Sequence, residues 1–311
     1  MTVSTATGAK AIVPVPPGLV IAPQLPDLML PVKLRRGVVG LLRNHPTIAI
    51  GGALLLGLVL VAIFAPYLGT LDPTALAPAR RTRAPSADFW FGTDALGRDV
   101  YSRVLYGARV SLTVGLSVAA LASLAGLAIG LVSGVVRWAD GILMRFMDGL
   151  MSIPPILLAI ALMAFTRASV GNVILAITIA EIPRVSRLVR GVVLTLREQP
   201  YVDAATTCGT RTPMIILRHI LPNTLAPMLV QATYICASAM IVESILSFIG
   251  AGTPPTIPSW GNIMAEGRAL WQVKPYIVFF PAAFLSVTVL AVNLVGDGLR
   301  DALDPRMGRN V

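Results

Sequence analysis

The chain alternates long uncharged apolar runs with short polar connections along most of its 311 residues. A helix needs about 20 mostly apolar residues to cross the hydrocarbon layer of a membrane. Runs of this kind cover residues 47–69, 110–136, 149–166, 168–180, 223–242 and 275–296. The fourth run is short, so we expect its helix to extend past Glu181, and we expect the fifth to continue beyond Glu243. The pattern predicts an all-α integral membrane protein with six transmembrane helices.

The composition of the chain agrees with a lipid environment. Hydrophobic residues make up 55% of it and charged residues 13%, and the mean hydropathy is +0.78. The charged share is about half of that in an ordinary soluble domain. The net charge of +10 does not predict nucleic-acid binding, because the basic residues are interleaved with apolar segments and form no basic face with aromatic platforms. A lipid bilayer is therefore the first predicted partner.

The basic residues also indicate the orientation. Lysine and arginine gather before the first run and in the loop after the fourth, and loops rich in these residues stay in the cytoplasm. Six spans then place both termini in the cytoplasm. Residues 1–31 hold six prolines and no signal-peptide pattern, which predicts a flexible cytoplasmic tail that we extend to residue 38. The first outer loop opposes this orientation with Arg80, Arg81, Arg83, Arg98, Arg103 and Arg109.

The polar segment over residues 198–222 is predicted to form two short helices outside the bilayer. Pro200 suits the first turn of one helix, and Gly209 supplies a left-handed break after it. Thr212-Pro213 begins the second helix, Leu221-Pro222 ends it, and Asn223 caps the fifth span. These residues alone leave two interpretations open: a helix pair that skirts the lipid, or an element that docks on a partner.

A family resemblance enters at this segment. Asp203-Ala204-Ala205, followed by Gly209 and Leu221-Pro222, resembles the EAA loop of bacterial ATP-binding-cassette (ABC) import permeases, although that family usually has Glu at the position of Asp203. In the family this loop is the coupling helix, which sits in a groove of the ATPase subunit. The resemblance implies these ATPase-coupling residues: Tyr201, Asp203, Ala204, Ala205, Gly209, Leu221 and Pro222.

Three longer blocks, over residues 91–116, 246–268 and 293–306, are similar to the C-type permease subunits of dipeptide and oligopeptide importers. The resemblance implies a type I ABC importer permease fold in the cytoplasmic (inner) membrane. The implied partners are a second homologous permease subunit, two ATPase subunits, an external substrate-binding protein and a peptide substrate. Nickel and glutathione remain alternative cargoes. We expect a first helix and outer loop over residues 39–109, a core permease domain over 110–306 and a C-terminal tail over 307–311.

The chain offers no means of using ATP itself. A phosphate-binding loop needs a lysine directly after a glycine, and none of Lys10, Lys33 and Lys274 follows one. Two cysteines and two histidines show no metal-ligand spacing. We therefore expect no enzyme activity, metal or cofactor on this chain, with ATP and magnesium bound by the partner subunits.

Small residues recur at intervals of four in the second run, at Ala122, Gly126, Gly130 and Gly134. They form one helix face that allows close contact with a neighbouring helix. The neighbour can belong to this chain or to a second permease subunit, and the sequence leaves both open.

Ionisable residues in the apolar runs are further candidates, because a charge at membrane depth normally faces protein or water. Met240, Glu243 and Ser247 share a helix face and could line a substrate pathway; alternatively, Glu243 lies near the outer interface and caps the adjoining loop. We expect Glu181 to pair with Arg184 or another arginine. Asp297 could pair with Arg300.

The outer loop that follows has two competing interpretations. The family suggests that this loop, with Trp260, Asn262 and Glu266, meets the binding protein, although its tryptophans could instead anchor at the interface. Arg98 and Asp99, in the first outer loop, either lock that loop or meet the binding protein.

Two other classes of function require features that this sequence lacks. A membrane hydrolase would need a histidine inside the membrane or paired histidines on one helix turn, and His45 and His219 lie in the flanks of the runs. A stand-alone secondary transporter would show an internal repeat with broken helices in both halves, which the sequence lacks.

Overall fold

The computed structural model describes residues 45–303, which fold as helices joined by loops. The predicted tails at residues 1–38 and 307–311 therefore lie outside the described residues. The α-helices are α1 (Pro46–Phe64), α2 (Val100–Val135), α3 (Arg137–Met151), α4 (Pro155–Ala164), α5 (Val170–Arg197), α6 (Pro200–Thr207), α7 (Thr212–Ile215), α8 (Leu221–Phe248), α9 (Trp260–Gly267) and α10 (Tyr276–Leu303). Within residues 45–303 the only strand-like pairing is one isolated bridge between Thr93 and Asp99, so the all-α prediction is confirmed.

Side-chain caps explain where several helices begin. Asp99 accepts a hydrogen bond from the backbone N–H of Ser102 at 2.9 Å and starts α2 ten residues before the predicted span. Ser169 and Ser259 cap α5 and α9 in the same way. Each cap satisfies a backbone N–H that has no acceptor within its own helix.

Four helical segments are long and apolar enough to cross a membrane: Pro46–Tyr67, Val100–Val135, Thr212–Phe248 and Tyr276–Leu303. The pair α3 and α4 makes a fifth candidate if it counts as one bent span. Helix α5 extends past Glu181 as predicted, and its 28 residues span about 42 Å. It is not among the apolar candidates because its second half is rich in arginine.

The prediction of one continuous span over residues 149–166 is wrong. Helix α3 ends at Met151, the chain bends by 89°, and α4 begins at Pro155. Pro154 adopts an extended conformation because the residue before a proline is sterically excluded from the helical region. The ten residues of α4 reach only about 15 Å, which is half of a hydrocarbon layer.

The helices pack around α2, which contacts α5 and α8 along its length. Helices α1 and α10 run antiparallel, because Gly51 near the start of α1 lies against Leu294 and Gly298 near the end of α10 lies against Ile48. The core holds small and β-branched side chains from α2, α5 and α8, including Ala122, Val185 and Ala239. The outward faces of the long helices remain apolar and exposed, as expected for surfaces that meet lipid or another subunit.

Candidate functional site: the coupling loop and its supporting clusters

The segment between α5 and α8 forms a small helical unit. Helix α6 ends at Thr207, and Gly209 follows with φ of +78°, a conformation that glycine adopts at little cost. The N–H of Gly209 donates to the carbonyl of Thr206 at 2.9 Å, and the N–H of Thr210 donates to that of Ala205 at 3.0 Å. This pair of bonds is a Schellman motif, so the predicted glycine break between two short helices is confirmed.

The second half of the segment departs from the prediction. Leu221-Pro222 does not end the helix, and Asn223 does not cap α8, because α7 continues through a π-helical turn (Ile216–Ile220) directly into α8. Asn223 instead donates to the carbonyl of His219 at 2.6 Å. Pro222 lies in the first turn of α8, where a missing N–H costs little. The coupling segment is therefore joined to α8 without a break.

The predicted coupling residues form two groups. Four of them are exposed, namely Tyr201, Asp203, Ala204 and Gly209. Val202, in the same helix, is buried and packs α6 against the rest of the protein. The ring of Tyr201 lies 6.0 Å from that of His219. Partial burial raises the pKa of the Tyr201 phenol, so this group is a neutral hydrogen-bond donor at physiological pH. Leu221 and Pro222 belong to the first turn of α8, where Leu221 is partly buried and Pro222 is exposed.

The face of small residues packs inside this chain. A Cβ atom on Gly126 would lie 2.4 Å from Val185 Cβ, one on Gly130 would lie 2.6 Å from Val189 Cβ, and one on Gly134 would lie 2.5 Å from Val193 Cγ1. Ala122 at the top of the face is fully buried. Residue numbers rise together on both helices, so α2 and α5 run parallel. Of the two interpretations left open by the sequence, the described contacts support packing within the chain.

A buried ionic cluster joins the first outer loop to α9. Asp94 accepts from Arg98 Nε at 2.7 Å and from Arg103 Nη1 at 2.6 Å, and Arg103 also donates to Glu266 at 2.5 Å. Arg98 contacts Glu266 as well. We call these four residues the outer ionic cluster. Arg98 thus locks its loop, which was one of the two predicted roles, and Asp99 caps α2.

A second arginine of the outer loop also has a structural contact. Arg109 donates to the carbonyls of Ala62 and Ile63 at 2.5 and 3.0 Å, which satisfies the end of α1. Contacts within the protein thus occupy Arg98, Arg103 and Arg109. Arg80, Arg81 and Arg83 remain exposed.

The candidate pathway residues Met240, Glu243 and Ser247 are all buried within this chain. Glu243 accepts a hydrogen bond from Ser247 at 2.8 Å, and Ser247 lies 3.1 Å from Thr253 in the adjoining loop. Met240 points elsewhere and packs where a Cβ on Gly115 would lie. The hydroxyl chain ties the end of α8 to the outer loop, as the capping alternative predicted. A role of these three residues in the pathway stays a prediction.

Two of the three candidate binding-protein contacts are also internal. Trp260 is fully buried and its indole N–H donates to the carbonyl of Val104 at 3.0 Å. Asn262 donates to Thr253 Oγ1 at 2.9 Å and to the carbonyls of Pro254 and Ile257, both at 3.0 Å. Glu266 is partly exposed within the outer ionic cluster. The interpretation of Trp260 as an interfacial anchor is wrong, because burial of its indole places it in the core of the outer loop.

Three ion pairs lie along the second half of α5. Arg184 pairs with Glu181 at 3.2 Å as predicted. The pairs of Arg187 with Asp148 at 2.6 Å and of Arg190 with Asp140 at 2.5 Å were missed. The sequence did carry a signal for these two ion pairs, because Asp140 and Asp148 are the acidic residues of the segment that precedes the proline break. Asp297 contacts the hydroxyl of Tyr234 at 2.5 Å, where Arg300 had been expected.

In residues 45–303 no group of three or more His, Cys, Asp or Glu side chains could hold a metal ion.

Comparison with known proteins identifies the family. Residues 122–309 match the family described as "Binding-protein-dependent transport system inner membrane component". The chain belongs to this family. The matched region contains the coupling segment, α5 and the outer cluster residue Glu266. The chain is therefore a multi-pass inner-membrane permease, and the family resemblance seen in the sequence is confirmed.

Two curated relatives cover most of the permease. The "Probable peptide ABC transporter permease protein y4tQ" of Sinorhizobium fredii is 53% identical over 88% of this chain and 93% of the relative. The "Dipeptide transport system permease protein DppC" of Alkalihalophilus pseudofirmus is 40% identical over 86% of this chain and 88% of the relative. The similarity thus extends beyond the matched family region to the first helix and outer loop.

A solved structure of the inward-facing MetNI methionine ABC transporter resembles the fold. Its TM-score is 0.53 at 18% sequence identity, over 65% of this chain and 96% of the other. At this identity the likeness shows the permease fold alone.

Proposed function

We propose that this permease forms half of the membrane pathway of an ABC importer for dipeptides and oligopeptides. The observation that carries the proposal is the coupling segment, in which exposed α6 is bonded through a Schellman turn to a helix continuous with α8. An element with this design can pass a displacement at its exposed end to a membrane helix. The names of the two relatives supply the peptide substrate.

The proposed topology has six spans with both termini in the cytoplasm. It counts α5 and the bent pair α3–α4 as spans in addition to the four long apolar segments. The six arginines of the first outer loop are weaker evidence against this orientation than the sequence alone suggests, because three of them are held by contacts within the protein. The coupling segment then lies in the cytoplasm, within reach of an ATPase.

The proposed assembly holds a second homologous permease, two ATPase subunits and an external substrate-binding protein. ATP and magnesium bind to the ATPase subunits. Closure of those subunits displaces α6, and the displacement reaches α8 through the Schellman turn and α7, because α7 continues into α8 without a break. The equilibrium between inward and outward states is thereby coupled to ATP binding on another chain.

The test is reconstitution of the complete complex in proteoliposomes with its binding protein. Labelled dipeptides, longer peptides, glutathione and nickel are offered separately, with ATP or a non-hydrolysable analogue inside. The proposal expects ATP-dependent uptake of peptides. ATP-dependent uptake of glutathione or nickel alone would move the permease to another substrate class. Uptake by the isolated chain along an ion gradient would make it a secondary transporter.

A further inference from the structure

The exposed surface of α5 changes character at Pro183. Before it, the exposed side chains are apolar, with Leu175 at 54% and Ile179 at 37%. After it, Arg184 and Arg187 are exposed, each with about half of its side-chain surface accessible. Gly191 and Thr195 continue this second surface, and Leu194 lies at its edge. One helix thus presents an apolar face in its first half and a polar face in its second.

The polar face carries a row of three ion pairs. We call Glu181, Arg184, Arg187, Arg190 and their partners Asp140 and Asp148 the inner ion row. Its formal charge is zero, because three arginines meet three carboxylates. Helix α3 supplies two of these carboxylates, so the bend between α3 and α4 holds acidic groups against α5.

The depth of the row follows from the length of α5. The helix spans about 42 Å and the hydrocarbon layer is about 30 Å thick. Even if the whole excess protrudes into the cytoplasm, Arg184 remains about 9 Å inside the layer, since it lies 14 residues after Val170. Any tilt of the helix brings it deeper. A half-exposed arginine at this depth faces water or another protein, because lipid cannot solvate it.

We propose that the inner ion row lines the water-filled cytoplasmic half of the translocation pathway. This inference rests on the proposed function and names the surface along which a zwitterionic peptide would move. The exposed guanidinium groups of Arg184 and Arg187 and the exposed carboxylate of Asp148 offer partners to both termini of such a solute, and the zero net charge of the row holds neither terminus tightly.

Accessibility of introduced cysteines tests the proposal in the complete complex in nanodiscs. The background chain carries Cys208→Ser, because Cys208 is exposed, and keeps Cys236, which is buried. Arg184→Cys probes the row. Gly57→Cys is the control on the exposed apolar surface of α1, at about 17 Å from the start of that helix, whereas Arg184 lies at least about 9 Å inside the layer. A Cβ at Gly57 meets no other atom within 4 Å.

A charged, water-soluble thiosulfonate is added to the nucleotide-free complex and to the complex trapped with ATP, and modification is followed by mass spectrometry. We expect Arg184→Cys to react at least about tenfold faster than Gly57→Cys in the nucleotide-free complex, because the thiolate forms only in water. Gly191→Cys, whose Cβ also meets open space, should react as well. If Arg184→Cys fails to assemble, the pair Glu181→Gln with Arg184→Cys removes both charges and replaces it.

Three results would overturn the proposal. If neither Arg184→Cys nor Gly191→Cys reacts with the thiosulfonate in either nucleotide state, the second permease covers the row. Reaction of Arg184→Cys with a lipid-soluble maleimide alone would place it in lipid. Reaction at Gly191→Cys without reaction at Arg184→Cys would show that water reaches the cytoplasmic end of α5 but stops before Arg184. The readout needs no transported peptide, so failure of peptide uptake and failure of this inference are distinguishable.

Discussion

Single glycines set the distance between α2 and α5. Gly130 has no room for a side chain, because a Cβ would approach Val189 Cβ to 2.6 Å and the Ser186 carbonyl to 2.8 Å. Both neighbours belong to a helix that is itself packed on α3, so neither can retreat freely. This is the contact that a small residue every four positions permits in a membrane protein.

Gly130→Ala is therefore expected to destabilise the permease by about 1–3 kcal/mol through overpacking. The measurement is the thermal unfolding midpoint of the complex in detergent, followed by loss of the monodisperse peak. Gly57→Ala is the control, because its Cβ meets open space and helix propensity favours alanine by about 1 kcal/mol. Equal midpoints for the two variants would contradict the close packing of α2 on α5.

Gly209 adopts a left-handed backbone conformation that few other residues tolerate. Its φ of +78° is closed to proline, which is held near −65°. We expect Gly209→Pro to leave the protein in the membrane but to uncouple ATP hydrolysis from uptake, because the Schellman bonds that orient α6 would be lost. Strain of about 1–3 kcal/mol at the joint corresponds to uptake about 5- to 160-fold lower.

The measurement for Gly209→Pro compares peptide uptake with ATP hydrolysis in the same proteoliposomes. Gly209→Asn is the matched variant, since asparagine tolerates the left-handed region and should retain coupling. Normal uptake by Gly209→Pro would remove the coupling role from this turn.

At the scale of elements, the outer ionic cluster joins two loops that are remote in sequence. Arg103 and Asp94 are almost fully buried, and Glu266 arrives from α9. Such a cluster is stable only when every charge has its partner, because each charge has been withdrawn from water. The cluster therefore holds the first outer loop against α9.

Removal of one member of the cluster should loosen the contact between the first outer loop and α9. Arg103→Met leaves Asp94 and Glu266 facing each other with one cation, and breaking a buried pair costs about 3–5 kcal/mol. We expect Arg103→Met to lower the unfolding midpoint of the complex more than Arg81→Gln does, since Arg81 is an exposed arginine of the loop before α2. A midpoint for Arg103→Met that matches Arg81→Gln would show that the cluster does not fasten the loop.

We expect the behaviour of the whole molecule to depend on partners, because many large apolar side chains are exposed on its helices and its sequence has no phosphate-binding loop. We expect co-expression with neighbouring subunits to yield a complex with a second permease and two ATPases. The isolated chain in proteoliposomes should show no solute uptake above empty vesicles, with ATP or with an ion gradient. Gradient-driven uptake by the chain alone would exclude the importer proposal.

Some of the site could be foreseen in the sequence, and the reason is local chemistry. Pro200 and Gly209 set backbone conformations within a few residues of themselves, so the short helix and its glycine break were predictable. The continuous passage from α7 to α8 was not, because the same Leu221-Pro222 can end one helix or open the next. Only packing against neighbouring helices selected the second outcome.

The sequence by itself determined that the protein lies in a lipid bilayer, that its fold is all-α and to which family it belongs, since each depends on composition or on residues close together along the chain. The tertiary structure decided which charges meet: Arg103 with Asp94 and Glu266, and Arg187 and Arg190 with the acidic residues of α3. It also decided that the small face of α2 meets α5 and that Glu243 is enclosed. These contacts join residues from 9 to 163 positions apart, and the periodicity of a helix carries no information about which other element its faces will contact.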